Sequence, residues 1–411
     1  MLESIYVGMT GLLGYSRGLR VIANNTANLN TPGFKSSSLQ FADLFYTGGN
    51  LGGGSANQNY SQVGFGLNTL GTTMSFKQGE LRGTGNDLDL AVDGQGLFVL
   101  ENADGKVSYT RAGQFKFDTN GVLVSRAGGE KVMGLDESGG FSEISLAGQT
   151  TDGGRPSSTF KLIGNLSATA TGTPPGTPPV QQPPASPADK MTIPVIDAIG
   201  ARHVLIPRFT TLSTSATAGA NIKVELLDGS TVVGSGQLVY GEAGKPKPET
   251  AVVSIAYTPP GMDPMALKLD LSETRFLAGN YGIEVQEQDG LGPGSLSGTA
   301  FDGAGILKLT YTNGRTVNGK QLALARFDSP DAVGALGSNQ FEILNRDAWH
   351  FGAGGEGAFG AVVSGRVEIS NVDLSQEFSD LVIMQRGYQA SSQVISTAND
   401  MLQELFSMKS K

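Results

Sequence analysis

Cysteine is absent from the 411 residues, which excludes disulfides, thiolate metal sites and cysteine nucleophiles together. Histidine is almost absent: His203 and His350 stand far apart, and two isolated imidazoles do not make a three-ligand metal site. No stretch approaches the ~18 consecutive apolar residues of a membrane helix. The N-terminus shows neither the charged n-region nor the apolar h-region of a cleavable signal. The 29 Lys and Arg are scattered within a net charge of -9, so the electrostatic footprint of a nucleic-acid binder is missing. No cofactor, nucleic-acid or membrane partner is expected.

Motifs that would announce an enzyme fall in the wrong context. Gly14-Tyr15-Ser16-Arg17-Gly18 has the spacing of a nucleophile elbow, but it lies inside a helical pattern instead of between a strand and a helix. The glycines at 352, 354 and 357, and again at 355, 357 and 360, match a dinucleotide fingerprint, but a β-like run follows them. Asp87, Asp89 and Asp93 begin a calcium-loop spacing that Ala91 and Phe98 interrupt, so a solvated strand face is expected there.

What is present is glycine, 59 residues of it, and helical periodicity confined to the two ends. Leu2, Ile5, Met9, Leu12, Leu19 and Ala23 follow a 3,4 spacing with Ser16 in the seam. This predicts a helix of roughly 25 residues, about 37 Å long. Leu374, Leu381, Met384, Tyr388, Ile395, Ala398, Leu402 and Leu405 form a second, longer stripe, with Glu377 and Ser391 as polar interruptions. Asn371 and Asp373 are candidate N-caps for it. Each helix has one apolar seam and no sequence neighbour to cover it, so the ends pair with each other or with copies of themselves.

Between them the texture is β. Thr31-Pro32-Gly33-Phe34 suits a type II turn, and residues 47–66 suit an extended hairpin or long loop. Short strands separated by turn signals fill 71–147 and return from 305 to 369, with Asp118-Thr119-Asn120-Gly121, Asn313-Gly314 and Asn318-Gly319 read as turns. The stretch 148–297 interrupts them. It carries seven of the 18 prolines between Pro174 and Pro187, then further strand-like runs, and reads as an inserted β domain with a polyproline-like loop. The fold class expected is mainly β with α-helical termini, nested as follows: residues 1–28 with 371–411, helical; 29–70, an extended linker region; 71–147 with 298–370, a shared inner β domain; 148–297, the insertion.

The quoted ends also carry a resemblance. Ile22-Ala23-Asn24-Asn25-Thr26-Ala27-Asn28, followed by Thr31-Pro32-Gly33-Phe34-Lys35, resembles the N-terminal signature of the flagellar rod and hook axial proteins. Glu368-Ile369-Ser370-Asn371-Val372-Asp373-Leu374 and Gln385-Arg386-Gly387-Tyr388-Gln389-Ala390 are similar to that family's C-terminal signature. Asp87 to Val92 and Tyr109 to Phe115 resemble its shared β domain. The large insertion points to the hook branch, with the distal rod as the alternative; the proline run departs from the family pattern. From a different class, a secreted trimeric adhesin or tail fibre would share the glycine-rich, cysteine-free β composition.

The resemblance implies a structural, non-enzymatic subunit of a helical homopolymer, with the terminal helices as an inner coiled-coil tube and the β domains outward. It implies an assembly interface along the two seams, and partners in the distal rod, hook cap and hook-filament junction proteins. It also implies passage, unfolded, through the flagellar type III export apparatus without a cleaved signal peptide. Phe41 and Phe45 match the spacing of the family's export-gate motif.

Overall fold

The computed structural model describes residues 2–44, 46–49, 61–136, 139–167, 191–215 and 219–409. The 174–187 run and Phe45 lie outside them. About 47% of the chain is strand, and the α-helices among the described residues are α1, Leu2–Ala27, and α2, Leu374–Lys409, so the architecture is mainly β with helical termini. The chain divides into two compact units: Met1–Ala147 with Thr299–Leu309 and Val317–Lys411, and Gly148–Gly298 with Thr310–Thr316.

In the first unit, α1 and α2 run antiparallel against each other, and α1 also packs on the antiparallel pair Ser37–Asp43 and Leu67–Met74. The segment between those strands folds back through the hairpin Tyr46–Gly49 with Ser61–Gly64. The β core is a twisted antiparallel sheet in which Thr316–Leu322, Lys131–Leu135, Leu97–Glu101, Val107–Thr110, Gln340–Ile343 and Val333–Gly337 are neighbours in that order. One face buries Leu97, Val99, Tyr109, Phe341 and Trp349. Each such side chain contributes about 1.5–3 kcal/mol on leaving water. The Trp349 indole satisfies its N–H on Ala332 O at 3.0 Å, as burial of that polar tip requires.

The second unit holds two four-stranded sheets. One orders Val252–Tyr257, Met265–Arg275, Thr159–Asn165 and Gly282–Gln288; the other orders Ile193–Ile196, Arg202–Ser215, Gly219–Asp228 and Thr231–Tyr240. Their facing residues, Phe160, Leu162, Ile222, Val224, Leu238, Ile255 and Leu269 among them, form one continuous core. Tyr240 and Tyr257 are fully buried and keep their hydroxyls bonded, to Thr274 Oγ1 at 2.6 Å and to Asp228 Oδ2 at 3.1 Å.

Two local expectations are corrected. Asn318-Gly319 is no turn: it lies inside the strand Thr316–Leu322, where the missing Cβ of Gly319 lets Leu307 pack against the backbone, the nearest side-chain atom 3.2 Å from where a Cβ would sit. Asp89 does not face water. It is 3% exposed, ion-paired to Arg126 at 3.0 Å and hydrogen-bonded by Asn86, while Leu90, Ala91 and Val92 are buried on both faces.

Candidate assembly site

The α1–α2 contact is built on glycine. Gly8 faces Ile395, Gly11 faces Ser391, Tyr15 lies over Gly387 and Gly18 meets Met384. With Ile22 and Asn25 these α1 positions follow an unbroken 3,4 spacing. A Cβ on Gly8 would stand 2.7 Å from Ile395 Cγ1 and 3.2 Å from Ser391 O, and one on Gly18 2.9 Å from Met384 Sδ, so a side chain at either position would push these neighbours away. The helical stripe read from the sequence is rotated from this one. Ile5, Leu12 and Leu19 are half-buried beside the glycine face, and Met9 is exposed. On α2, Leu381, Met384, Ile395 and Leu402 are half-buried towards α1 and Ala398 is buried, whereas Leu374, Tyr388 and Leu405 are exposed. Leu2 belongs to α1. Sequence reasoning passed over the glycines because glycine is a poor helix former; their heptad spacing with Tyr15, Ile22 and Asn25 was the available signal.

The loop after α1 is held by a polar junction. Buried Asn25 donates to Ser37 O at 2.8 Å and to Glu377 Oε1 at 2.9 Å, and its own Oδ1 accepts from Ser37 N at 3.0 Å. Burial raises the Glu377 carboxyl above its ordinary value, the Asn25 bond opposes this, and Asp380 adds to it. Asn28 caps the end of α1 by donating to Asn24 O at 2.9 Å and accepts from Thr31 Oγ1 at 3.0 Å. Phe34 N closes on Thr31 O at 3.3 Å around Pro32 and Gly33, whose φ of +71° is the left-handed conformation a type II turn requires. Pro32 O accepts from Asn339 Nδ2 at 2.9 Å. Of the two candidate caps of α2, Asp373 does the capping, accepting from Ser375 N at 2.8 Å. Asn371 instead bridges strands, accepting from Ser36 N at 2.8 Å and donating to Ser75 O at 2.7 Å.

Beneath this loop lies an ion triad that the sequence did not disclose. Lys35 Nζ is 2.7 Å from Glu368 Oε1, Arg111 Nε bonds Glu368 Oε2, and Gly79 N donates to Oε1 at 2.8 Å. All three side chains are at most 5% exposed. Arg111 spends its remaining donors on the carbonyls of Val92, Gly94 and Gly96. Burial works against the Glu368 charge, yet Arg111, Lys35 and the Gly79 amide outweigh it and hold the carboxyl below its usual range; burial pulls Lys35 down despite Glu368. A fully bonded triad of this kind locks segments that meet nowhere in the sequence.

The remaining candidate residues are dispersed. Gln385 and Arg386 are exposed on α2. Phe41 is 38% exposed, its ring 6.1 Å from that of Tyr15 and close to Gly14. His203 pairs with Asp197 and His350 with Asp328, each at 2.9 Å, and no group of three or more His, Cys, Asp or Glu able to hold a metal occurs among the described residues.

Three family models match the chain in order: the "Flagella basal body rod protein" at 5–35, the "Flagellar hook protein FlgE/F/G D1 domain" at 91–152 and the "Flagellar basal body rod FlgEFG protein C-terminal" at 363–408. The flagellar hook protein FlgE of Rhizobium meliloti (strain 1021) is 29% identical, with 98% of each chain covered. The namesakes from Escherichia coli (strain K12), 28% identical over 98% of each chain, and Borreliella burgdorferi, 27% identical over 100% of each, align equally completely. The three family models and the relatives aligned over the full chain support a flagellar hook protein. A solved hook protein, FlgE2 of Helicobacter pylori, is 13% identical with a TM-score of 0.46, covering 70% of this chain and 100% of its own. Similarity to flagellar hook proteins implies the flagellar hook and basal body and supports self-association and association with other flagellar proteins.

Proposed function

We propose that this chain is a structural subunit of the flagellar hook, polymerising into a flexible helical tube that joins rod to filament and transmits torque as a universal joint. The observation that carries the reading is the alignment to hook proteins along 98–100% of the chain, the inserted segment included. A rod subunit of this family would lack a large insertion, and here residues 148–298 form a compact unit with a core of its own.

In this reading the termini, 1–28 with 371–411, build the inner tube; 71–147 with 298–370 surround it, the loop 29–70 joins them, and 148–297 lies outermost. The exposed apolar residues of the helices, Met9, Leu374, Tyr388 and Leu405 among them, are left over from the intrachain seam and serve contacts between copies. Partners are the distal rod, hook cap and hook-filament junction proteins. Export runs through the flagellar type III apparatus with Phe41 and Phe45 as its recognition pair, and the protein works by packing, without catalysis or cofactor.

The test is replacement of the chain in its own motile host by the Leu381→Asp, Ile395→Asp double variant. Secreted soluble subunits, absent hooks and loss of swimming are expected; normal hooks and swimming contradict the proposal.

A further inference from the structure

The antiparallel helices share one axial map. Gly8 stands opposite Ile395, Gly18 opposite Met384 and Asn25 opposite Glu377. On that map Asp373, Glu377 and Asp380 form an acidic stretch at the Asn25 end, each hydrogen-bonded within the chain, by Ser375 N, Asn25 and Gln376 respectively, and beyond it charge is sorted into bands. Glu3 and Asp400 stand level near one end, with Glu404 just beyond; Arg17 and Arg386 stand level near the middle, with Arg20 beside them. All six are exposed, and among the described residues none is in an ion pair; the one side-chain bond Arg17 makes is to Thr69 Oγ1.

The spacing agrees on both helices. Glu3 precedes Arg17 by 14 residues and Arg20 by 17; Arg386 precedes Asp400 by 14 and Glu404 by 18. Arg17 and Arg20 also wall a groove of 530 Å³ between α1 and the strand pair, completed by Asn24, Ser37, Thr69 and Thr72, with no carboxylate in its lining.

We infer that the basic band of one copy receives the acidic band of a second copy, displaced along the helix axis by about 21–27 Å at 1.5 Å per residue. Charge complementarity selects the occupant: an identical pair of helices, shifted by that distance in the same orientation, sets Asp400 and Glu404 against Arg17 and Arg20. Such a head-to-tail contact is heterologous and leaves each copy with the opposite band free for the next, which is what an open helical assembly requires. Exposed ion pairs add little cohesion, so the bands fix axial register while the apolar flanks, with Met401 and Leu405 on α2, supply adhesion. The inference rests on the polymerisation proposed above.

Because the chain has no cysteine, an introduced pair reports on register without background. In the full-length Arg20→Cys, Asp400→Cys variant the two positions lie about 26 Å apart along the helix axis within one chain, which is the proposed displacement, so a disulfide, which needs Cα atoms within about 7 Å, forms only between copies. Oxidised tubes should yield covalent dimers and ladders on non-reducing gels; tubes that form without any crosslink overturn the register and leave the hook assignment standing, and failure of the wild-type chain to form tubes overturns both. Charge reversal gives the second readout. Arg17→Glu with Arg20→Glu, and separately Asp400→Arg with Glu404→Arg, should each raise the critical concentration for assembly at least tenfold while helix content stays unchanged, and the four changes together should bring it back to within about threefold of wild type. Unchanged assembly in either reversed variant, or no recovery in the combination, contradicts the pairing.

Discussion

Lys35 Nζ and Glu368 Oε1 are 2.7 Å apart although 333 residues separate them in the chain. This contact, with Arg111 on the other carboxylate oxygen, ties the loop after α1 to the strand that leads into α2. Removal of the acid strands two buried cations. Glu368→Ala should therefore cost about 3–5 kcal/mol of first-unit stability, the range for breaking one member of a buried ionic group. Chemical denaturation followed by tryptophan fluorescence reads that unit, since the single Trp349 lies in it. A loss below about 1 kcal/mol would show the triad to be dispensable.

The same carboxyl sets an acid limit. Its folded pKa lies below the ordinary 4.5, so the folded state binds the proton less readily than the unfolded one. The stabilisation is fully present above about pH 4.5 and is lost as pH falls through the folded value. Glu377 has the opposite sign, raised by burial, so its share is present below 4.5 and lost as pH rises through its folded value. Glu377→Gln, which keeps an acceptor for Asn25, should raise the melting temperature of the helix pair at neutral pH by an amount equivalent to roughly 0.5 kcal/mol. A lower melting temperature at pH 7 would reverse this assignment.

The glycine seam yields a prediction against ordinary propensity. In an isolated helix Gly→Ala gains about 1 kcal/mol. At Gly18 the added methyl meets Met384, and at Gly8 it meets Ile395, where overpacking costs typically about 1–3 kcal/mol. Gly8→Val and Gly18→Val should loosen α1 from α2 and lower far-ultraviolet helicity, while Met9→Ala, at an exposed position, should leave pairing intact. Greater loss from Met9→Ala than from Gly18→Val would place the seam on the wrong face.

For export, Phe41→Ala combined with Phe45→Ala should reduce the secreted fraction severalfold with cellular levels unchanged. Phe41 also packs beside Tyr15, so the purified variant's helix content must be compared. Full secretion would return both rings to a packing role.

The terminal helices and the β texture between them were legible because each rests on local spacing: periods near 3.6 at the ends, alternation and turn residues elsewhere. The pairing of α1 with α2 was legible as one of two options, and its face was not. Apolar residues were counted as the seam, whereas close backbone approach favours the residue with no side chain, and Gly8, Gly11 and Gly18 took the inner positions. The Lys35–Glu368–Arg111 triad was hidden for another reason. Nothing local distinguishes a buried charge from a solvated one, and Asp89 was misjudged on the same ground. Asn318-Gly319 carried a turn signal that the sheet overrode, since the strand needed a gap for Leu307.

The central claim, that the chain builds a tube, is tested most directly by electron microscopy of the purified full-length protein at high concentration. Hollow tubes of one uniform diameter are expected, and they should be absent from the Leu381→Asp, Ile395→Asp variant. Discrete particles of trimeric mass at every concentration would contradict the account and favour a fibrous adhesin or tail-fibre architecture.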